Sequence, residues 1–209
     1  MKKVIVIFRL LVLVLFISGF NEYATETRVN IEKYDTTAIS SVPTEAESNQ
    51  NYFQIPFIGN NFIGFKEALA FKESQGKYQA VNTLGYLGKY QFGKTTLERF
   101  RIYDTEAFLQ NPELQEDAFK ALCSLNKWIL IRDIKRSVGK KINGVEITES
   151  GILAAAHLSG AGNVKKYLRS NGSKTFSDAY GSSIQHYMKK FSGYDTSSIK
   201  AIKRPIITI

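Results

Sequence analysis

Cysteine and histidine are scarce in this chain, which has one cysteine and two histidines among its 209 residues. A single cysteine, Cys123, excludes a disulfide within the chain. Its apolar helical surroundings, "DAFKALCSLNKW", predict a small buried hydrophobic residue. So few thiol and imidazole groups do not supply the ligand set of a structural zinc site. We therefore expect the protein to bind no metal and no cofactor.

Acidic residues are absent from one segment that is otherwise rich in polar groups. No aspartate or glutamate lies between Ser74 and Leu97, where glycine, tyrosine, glutamine and asparagine are frequent. Glu73 stands just before this segment, at the end of an apolar stretch. It is either an ordinary charge on a helix surface or the proton donor of a site whose other members are neutral hydrogen-bonding groups.

The first twenty residues combine basic and apolar side chains in the order that export signals have. Lys2, Lys3 and Arg9 precede an apolar run that ends at Phe20. This order predicts a signal peptide or an N-terminal anchor at residues 1–20 and favours export over a core helix of a cytoplasmic protein. We expect a periplasmic, membrane-tethered or secreted protein.

Positive charge is in excess along the chain. The formal net charge is +9, and it is still +6 without the three cations of the N-terminal segment. A basic protein outside the cytoplasm meets cell-wall polymers and lipid head groups more often than nucleic acid. We therefore expect no nucleic-acid partner, although the same charge could serve only to keep the protein soluble.

The rest of the chain divides by composition into three parts. Residues 21–58 are rich in Thr, Ser, Glu and Asn and lack periodicity, which predicts a disordered tether. Residues 59–195 have helical periodicity and predict one mainly α domain of the α+β type, with a small loop or hairpin. Residues 196–209 form a basic tail. We expect the domain to be a monomer.

Caps and apolar spacing predict the helices of that domain. A first helix follows a pair of Asn residues, ends at Glu73 and has a stop signal at Gly76. Its apolar positions near one face are Phe62, Phe65, Leu69 and Phe71. A loop or hairpin over residues 77–93 and a short helix at "KTTLERF" follow.

The sequence of the second half of the domain predicts a buried helix and several shorter elements. The long helix begins at Pro112, is apolar almost all round and ends before Gly139. After a turn in "KKINGVEIT", Thr148 caps the helix "ESGILAAAHLSG". "AGNVKKYLRSNG" and "SSIQHYMKKFSG" predict two shorter helices, the second capped by Ser182.

Two of these stretches together carry a resemblance to a known superfamily. "ALAFKESQGKYQAVNTLGYLGKYQFG" followed by "GILAAAHLSGAGNVKKYL" resembles the lysozyme-like superfamily, specifically lytic transglycosylases of the goose-lysozyme type and phage-tail-associated peptidoglycan hydrolases. In those proteins a helix ends in Glu-Ser, a Gly-x-x-Gln-aliphatic stretch forms a wall of the groove, and an Ala-rich helix runs into a Gly-rich turn. The counterparts here are Glu73 with Ser74, Gly88 with Gln91 and Phe92, and residues 154–156 with Gly160 and Gly162. The resemblance covers about residues 60–193 and implies a lysozyme-like helical fold with an active-site groove.

Two positions depart from the pattern of that superfamily. Transglycosylases usually have Tyr-Asn after the alanines, where this chain has His157 and Leu158. A phage-type lysozyme has a second acid in the segment where this chain has Asn82. Neither change removes the proton donor.

The resemblance implies a reaction in which one carboxyl group acts twice. Glu73 would protonate the oxygen of the β-1,4 bond between N-acetylmuramic acid and N-acetylglucosamine, and then accept a proton from the substrate's own 6-hydroxyl, giving a 1,6-anhydro sugar. Burial beside Phe71, Tyr78 and Tyr90 would keep the carboxyl group protonated until then. The neutral groups expected to contact the peptidoglycan strand are Ser74, Asn82, Tyr86, Tyr90, Gln91 and His157.

Several alternatives remain open. Asp104, Glu149 or Asp178 could fold toward the groove and supply the second carboxylate of a lysozyme-type hydrolase. The chain could also bind peptidoglycan without cutting it, as an assembly protein, or be a basic membrane-tethered adaptor for nucleic acid or lipid. The tyrosine candidates could fill the edge of a core, and His157 after three alanines is favoured as a packing residue.

Overall fold

The secondary structure of the protein is mainly helical over residues 59–207, which are the residues that the computed structural model describes. The helical class predicted from the sequence is therefore confirmed. The predicted export signal at residues 1–20 and the predicted tether at residues 21–58 lie outside the described residues.

The first helix, α1, spans Phe62–Ser74. It begins where the side chain of Asn61 accepts a hydrogen bond from the backbone of Gly64, the N-cap contact expected of an asparagine. It ends where Gln75 adopts left-handed backbone geometry with φ 58°. This boundary places Glu73 in the last turn, as predicted.

The buried face of α1 is narrower than predicted. Phe65 and Leu69 are fully buried, whereas Phe71 is 70% exposed. Two residues turn a helix by about 200°, so Phe71 points away from the side that Leu69 buries. The prediction that Phe71 packs near that face and helps to bury Glu73 is wrong.

A folded loop and two short helices follow α1. The loop contains the isolated bridges Val81–Leu87 and Leu87–Phe92. Helix α2 spans Lys94–Arg99, as predicted. Helix α3 spans Thr105–Gln110 and was not predicted, although its N-cap, Asp104, is a recognisable signal that accepts two backbone hydrogen bonds.

Helix α4 spans Pro112–Ser137 and is the spine of the domain, with every residue from 121 to 127 buried. Strands β1 (Lys141–Ile142) and β2 (Val145–Glu146) form the small antiparallel hairpin predicted after it. Asn143 and Gly144 make the turn with φ 49° and 77°. Positive φ at both residues is what a two-residue hairpin turn of type I′ requires.

Helix α5 spans Glu149–Arg169, capped by Thr148 as predicted. It is interrupted at Gly160, whose φ of 76° and ψ of 150° are not helical. This break separates the two helices that the sequence predicted here. Helix α6 spans Ile184–Lys190 and is capped by Ser183, so the predicted cap at Ser182 is wrong by one residue.

Helices α4, α5 and α6 pack together around the hydrophobic core. At Gly151, a Cβ atom would lie 2.6 Å from the backbone oxygen of Met188, so only glycine permits the approach of α5 to α6 there. This close packing brings the alanines of α5 and the aromatic residues of α6 into one core.

The first part of the predicted basic tail belongs to the packed domain. Thr196 and Ile199 are 2% and 3% exposed. The Lys127 ammonium donates a 3.1 Å hydrogen bond to the backbone oxygen of Thr196, and the backbone N–H of Ile202 donates to Ser124 on α4. The core therefore continues past residue 195.

Candidate active site

A cavity of about 680 Å³ lies where the end of α1 faces the loop after it, the middle of α5 and the start of α6. Glu73 is part of its wall, and so are the loop segments around residues 81–86 and 176–182. Amide, hydroxyl and aromatic groups make up most of the remaining lining. A cavity of this volume and composition is of the size that ligand sites have.

The carboxyl group of Glu73 is held by a tyrosine of α6. The Tyr187 hydroxyl donates a 2.8 Å hydrogen bond to Oε1 of Glu73. Burial of the phenol and the nearby Glu73 carboxylate raise the pKa of Tyr187, so this hydroxyl keeps its proton and remains a donor. Tyr187 is 2% exposed, and its ring lies 5.3 Å from that of Phe191. The rigid phenol therefore fixes one oxygen of Glu73.

Two predicted site residues line the cavity while also shaping its loop. Asn82 Oδ1 accepts hydrogen bonds from the backbone of Leu84 and Tyr86 at 2.9 and 3.0 Å. Gln91 Nε2 donates 2.9 Å to the backbone oxygen of Gly88, while its own φ is 51°. Each side chain thus uses part of its hydrogen-bonding capacity within the wall, as well as lining the cavity.

The backbone geometry and the close packing at residue 88 explain why the Gly-x-x-Gln stretch begins with glycine. Gly88 has φ 75°, and a Cβ atom there would lie 2.2 Å from Oε1 of Gln115. Gln115 is fully buried and accepts a 2.8 Å hydrogen bond from the backbone of Lys89. The motif therefore anchors the loop to α4 at Gly88 and turns Gln91 toward the cavity.

Tyr86 and His157 also line the cavity. Tyr86 is 43% exposed, so its ring can contact a ligand. His157 Nε2 lies 2.8 Å from the backbone oxygen of Tyr90, and its ring packs edge-on against Phe92 and Phe119. Its Nδ1 is buried without a hydrogen-bond partner among the described residues. This geometry agrees with a packing role for His157 at the cavity wall.

Two other predicted contacts, Ser74 and Tyr90, are not among the lining residues. The Ser74 hydroxyl donates 2.8 Å to the backbone oxygen of Lys89, which ties the end of α1 to the loop. Tyr90 is fully buried, stacked 4.1 Å from Phe119, with its hydroxyl bonded to Glu116. The predicted sugar contacts at these two residues are therefore replaced by structural roles.

Glu116 is the centre of a half-buried polar cluster that the sequence did not reveal. Its carboxylate accepts hydrogen bonds from Lys66, Lys89, Tyr78 and Tyr90. Burial alone would raise the pKa of Glu116, but these four donors outweigh it and lower the pKa to about 2. Tyr78 thus faces this cluster, and the predicted burial of Glu73 by Tyr78 and Tyr90 is wrong.

Asp178 lines the same cavity as Glu73. Its Oδ1 accepts hydrogen bonds of 3.0 and 2.7 Å from the backbone of Tyr180 and Ser182, which fixes the loop before α6. Of the other acids considered from the sequence, Asp104 caps α3 and Glu149 pairs with Lys127. Asp178 is therefore the second carboxylate that the fold brings to the cavity.

The two loops that line the cavity are joined by a pair of hydroxyl groups. Thr83 Oγ1 and the Tyr180 hydroxyl lie 2.8 Å apart, and both side chains line the cavity. Neither residue was selected from the sequence, and neither was Tyr187. Tyr180 and Tyr187 lie in the segment "DAYGSSIQHYMKKFSGYD", near the end of the region that carries the resemblance, and Thr83 lies in the first of the two stretches quoted for it.

Residues 59–207 contain neither a candidate metal cluster nor a candidate membrane span. No group of three or more His, Cys, Asp or Glu side chains is arranged to hold a metal ion in this part of the chain. No helix among these residues combines the length and apolar character needed to cross a bilayer.

The chain matches no model of a protein family, no curated protein and no solved structure. The resemblance to the lysozyme-like superfamily therefore depends on the quoted motifs alone.

Proposed function

We propose that this protein is an exported peptidoglycan-cleaving enzyme that cuts the β-1,4 bond between N-acetylmuramic acid and N-acetylglucosamine, with Glu73 as acid and base. The observation that supports this most is the Glu73 carboxyl group, held by Tyr187 at the wall of a cavity of about 680 Å³. The neutral polar groups and the aromatic ring of Tyr86 around it suit a sugar chain.

The hydrogen bond to Tyr187 assigns different tasks to the two oxygens of Glu73. Oε1 is occupied by the phenol, which remains a donor because burial and the neighbouring carboxylate raise its pKa. Oε2 is then the oxygen that carries the proton to the leaving glycosidic oxygen. A positioned acid of this kind contributes about 10²- to 10⁴-fold to the rate.

The second half of the proposed reaction reuses the same group. Once Glu73 has lost its proton, it accepts one from the 6-hydroxyl of the muramic acid, and the 6-oxygen bonds to the anomeric carbon. The glycosidic bond breaks, a 1,6-anhydro ring forms, and no water is consumed. The enzyme is then a lytic transglycosylase, and Glu73 is protonated again for the next cycle.

One observation favours a hydrolase as the second candidate. Asp178 lies on the same cavity, and its Oδ2 is not used by the backbone hydrogen bonds that Oδ1 accepts. A second carboxylate could activate water or attack the sugar, as in retaining and inverting glycosidases. The product would then be hydrated and heavier by one water molecule than the anhydro product.

Product masses separate these candidates and a third, in which the cavity binds glycan without cutting it. Purified sacculi are incubated with the full chain, and the soluble muropeptides are weighed by mass spectrometry. Anhydro products support the proposal, hydrated products support the hydrolase, and intact sacculi with bound protein indicate an assembly or binding protein.

The matched variants are Glu73→Gln and Glu98→Gln. Glu98 is an exposed residue of α2 that does not line the cavity, so the Glu98→Gln variant tests the loss of a negative charge alone. We expect Glu73→Gln to lose activity by at least about 100-fold and Glu98→Gln to retain it. A folded Glu73→Gln protein with full activity would refute Glu73 as the acid.

A further inference from the structure

A second cavity, of about 590 Å³, lies away from Glu73 and shares no lining residue with the first. It is formed between the end of α2 with the segment after it, the middle of α4 and the chain beyond residue 202. Its charged lining residues are Arg99, Arg101, Lys203 and Arg204. Among the described residues, no aspartate or glutamate contributes to the wall.

No acidic side chain within residues 59–207 neutralises these four cations. All four are exposed, and none of them makes an ion pair with an acidic side chain within residues 59–207. Other cations of the domain, such as Lys89 and Lys127, are paired with glutamates. A concave site with unpaired positive charge raises the local concentration of anions.

The rest of the second cavity is apolar. Phe100 and Leu125 are 8% exposed at its base, and Ile206, which follows Pro205 at the rim, is 90% exposed. Trp128 is 39% exposed, and the Lys203 ammonium lies 5.3 Å from the centroid of its ring. Basic residues beside an exposed aliphatic residue and an amphipathic tryptophan are typical of a membrane–water interface.

We propose that this second cavity binds the phosphate of an anionic phospholipid head group and that Ile206 enters the adjoining apolar layer. A nucleic acid fits less well, because it offers no apolar layer for the side chain of Ile206, which is 90% exposed. A hydrophilic phosphate polymer would leave Ile206 without a partner. This surface would hold the domain at the membrane independently of the N-terminal segment and of the proposed catalytic activity.

Trp128 provides a local readout, since it is the single tryptophan of the chain. The full chain is mixed with vesicles of phosphatidylcholine and phosphatidylglycerol in which one lipid or the other carries bromine on its acyl chains. Bromine quenches indole fluorescence at short range. We expect quenching with brominated lipid in mixed vesicles, reduced quenching at high salt, and little in vesicles of phosphatidylcholine alone.

The test variant carries Arg99→Gln, Arg101→Gln, Lys203→Gln and Arg204→Gln together. A matched control carries Lys140→Gln, Lys166→Gln, Lys174→Gln and Lys189→Gln, which removes the same charge at exposed positions outside the cavity. Each cation near an anionic surface contributes about fivefold to binding, so we expect the test variant to lose roughly 600-fold. The control should retain quenching, and both proteins should keep the helical circular dichroism of the wild type.

Further quenching measurements distinguish a lipid phosphate from inorganic phosphate and from a nucleic acid. Ile206→Ser should weaken the quenching by about tenfold, because the apolar insertion is lost. Neither inorganic phosphate nor a thymidine oligonucleotide, each at the phosphate concentration of the lipid, should abolish the quenching. The proposal would be overturned by equal quenching in vesicles of phosphatidylcholine alone. It would also be overturned if the four-cation variant or Ile206→Ser showed the same quenching as the wild type, or if the oligonucleotide or inorganic phosphate abolished the quenching.

Discussion

The Tyr187 hydroxyl and the Glu73 carboxyl group, 114 residues apart in the chain, meet in a 2.8 Å hydrogen bond at the wall of the larger cavity. Tyr187 comes from α6 and Glu73 from the last turn of α1. The contact therefore depends on the packing of α6 within the core.

Replacing Tyr187 by Phe should lower the rate of sacculus cleavage while the protein stays folded. A hydrogen bond to a charged group contributes about 1.5–3 kcal/mol, so we expect a loss of about 10- to 100-fold in kcat/KM.

Tyr103→Phe is the matched control for that variant, since Tyr103 is 68% exposed and does not line the cavity. It should leave the rate unchanged. If Tyr187→Phe changed thermal stability but not the rate, its hydroxyl would be a structural group only.

Asp178→Asn separates the two mechanisms. The amide keeps an oxygen at Oδ1 that can accept the hydrogen bonds from Tyr180 and Ser182, so the loop should keep its shape. In a transglycosylase with one carboxylate, we expect less than about a tenfold loss of rate, with anhydro products still formed. A loss beyond about 100-fold, with hydrated products in the wild type, would instead identify Asp178 as the second catalytic carboxylate.

Breaking the hydroxyl pair between Thr83 and Tyr180 should help a long glycan strand to enter. The 2.8 Å contact joins the two loops, and a strand lying between them has to separate these groups. An exposed neutral hydrogen bond contributes about 0.5–1 kcal/mol, so Thr83→Val should lower KM for sacculi by about two- to fivefold without changing kcat.

Thr175→Val is the control for that change, because Thr175 is exposed and is not a lining residue. Its KM should equal that of the wild type. A higher KM for Thr83→Val would show that the hydroxyl binds substrate directly and does not close the cavity.

The free energy of unfolding of the domain should decrease at acid pH, because Glu116 then becomes protonated. Its pKa is lowered from 4.5 to about 2 in the fold, so the folded state favours the ionised carboxylate. This contribution is fully present above pH 4.5 and is lost as the pH falls toward 2. A shift of this size corresponds to a change on the order of 3 kcal/mol in the free energy of unfolding.

Urea unfolding from neutral to acid pH measures that contribution. Glu116→Gln should be less stable at neutral pH by on the order of 3 kcal/mol, because Lys89 loses one of its two carboxylate partners. Its stability should also change less between pH 5 and 2. Glu113→Gln, at an exposed position in the first turn of the same helix, should retain the acid transition.

Local signals in the sequence were enough to place most helix ends. The caps at Asn61, Asn111 and Thr148 each accept a hydrogen bond from a backbone amide three residues later, so their effect does not depend on the rest of the fold. The left-handed residues at Asn143 and Gly144 likewise specify their own turn. The missed helix α3 has the same kind of signal at Asp104.

Burial could not be predicted so well, because it depends on which elements meet. Phe71 and Tyr90 are both aromatic residues close to Glu73 in sequence, yet the first is 70% exposed and the second is fully buried beside Glu116. Lys89 has no nearby acid in sequence, but α1 and α4 supply Glu67 and Glu116 to it. Such ion pairs join positions more than twenty residues apart.

The sequence by itself determined the helical class, the caps and the place of Glu73 in the last turn of α1, because backbone hydrogen bonds act between residues a few positions apart. Tertiary structure decided which residue bonds to Glu73 and that Asp178 lines the same cavity. It also decided that Ser74 and Tyr90 do not line this cavity. These outcomes depend on how α1, α5 and α6 pack, since side chains that are distant in sequence become neighbours only when the core excludes water.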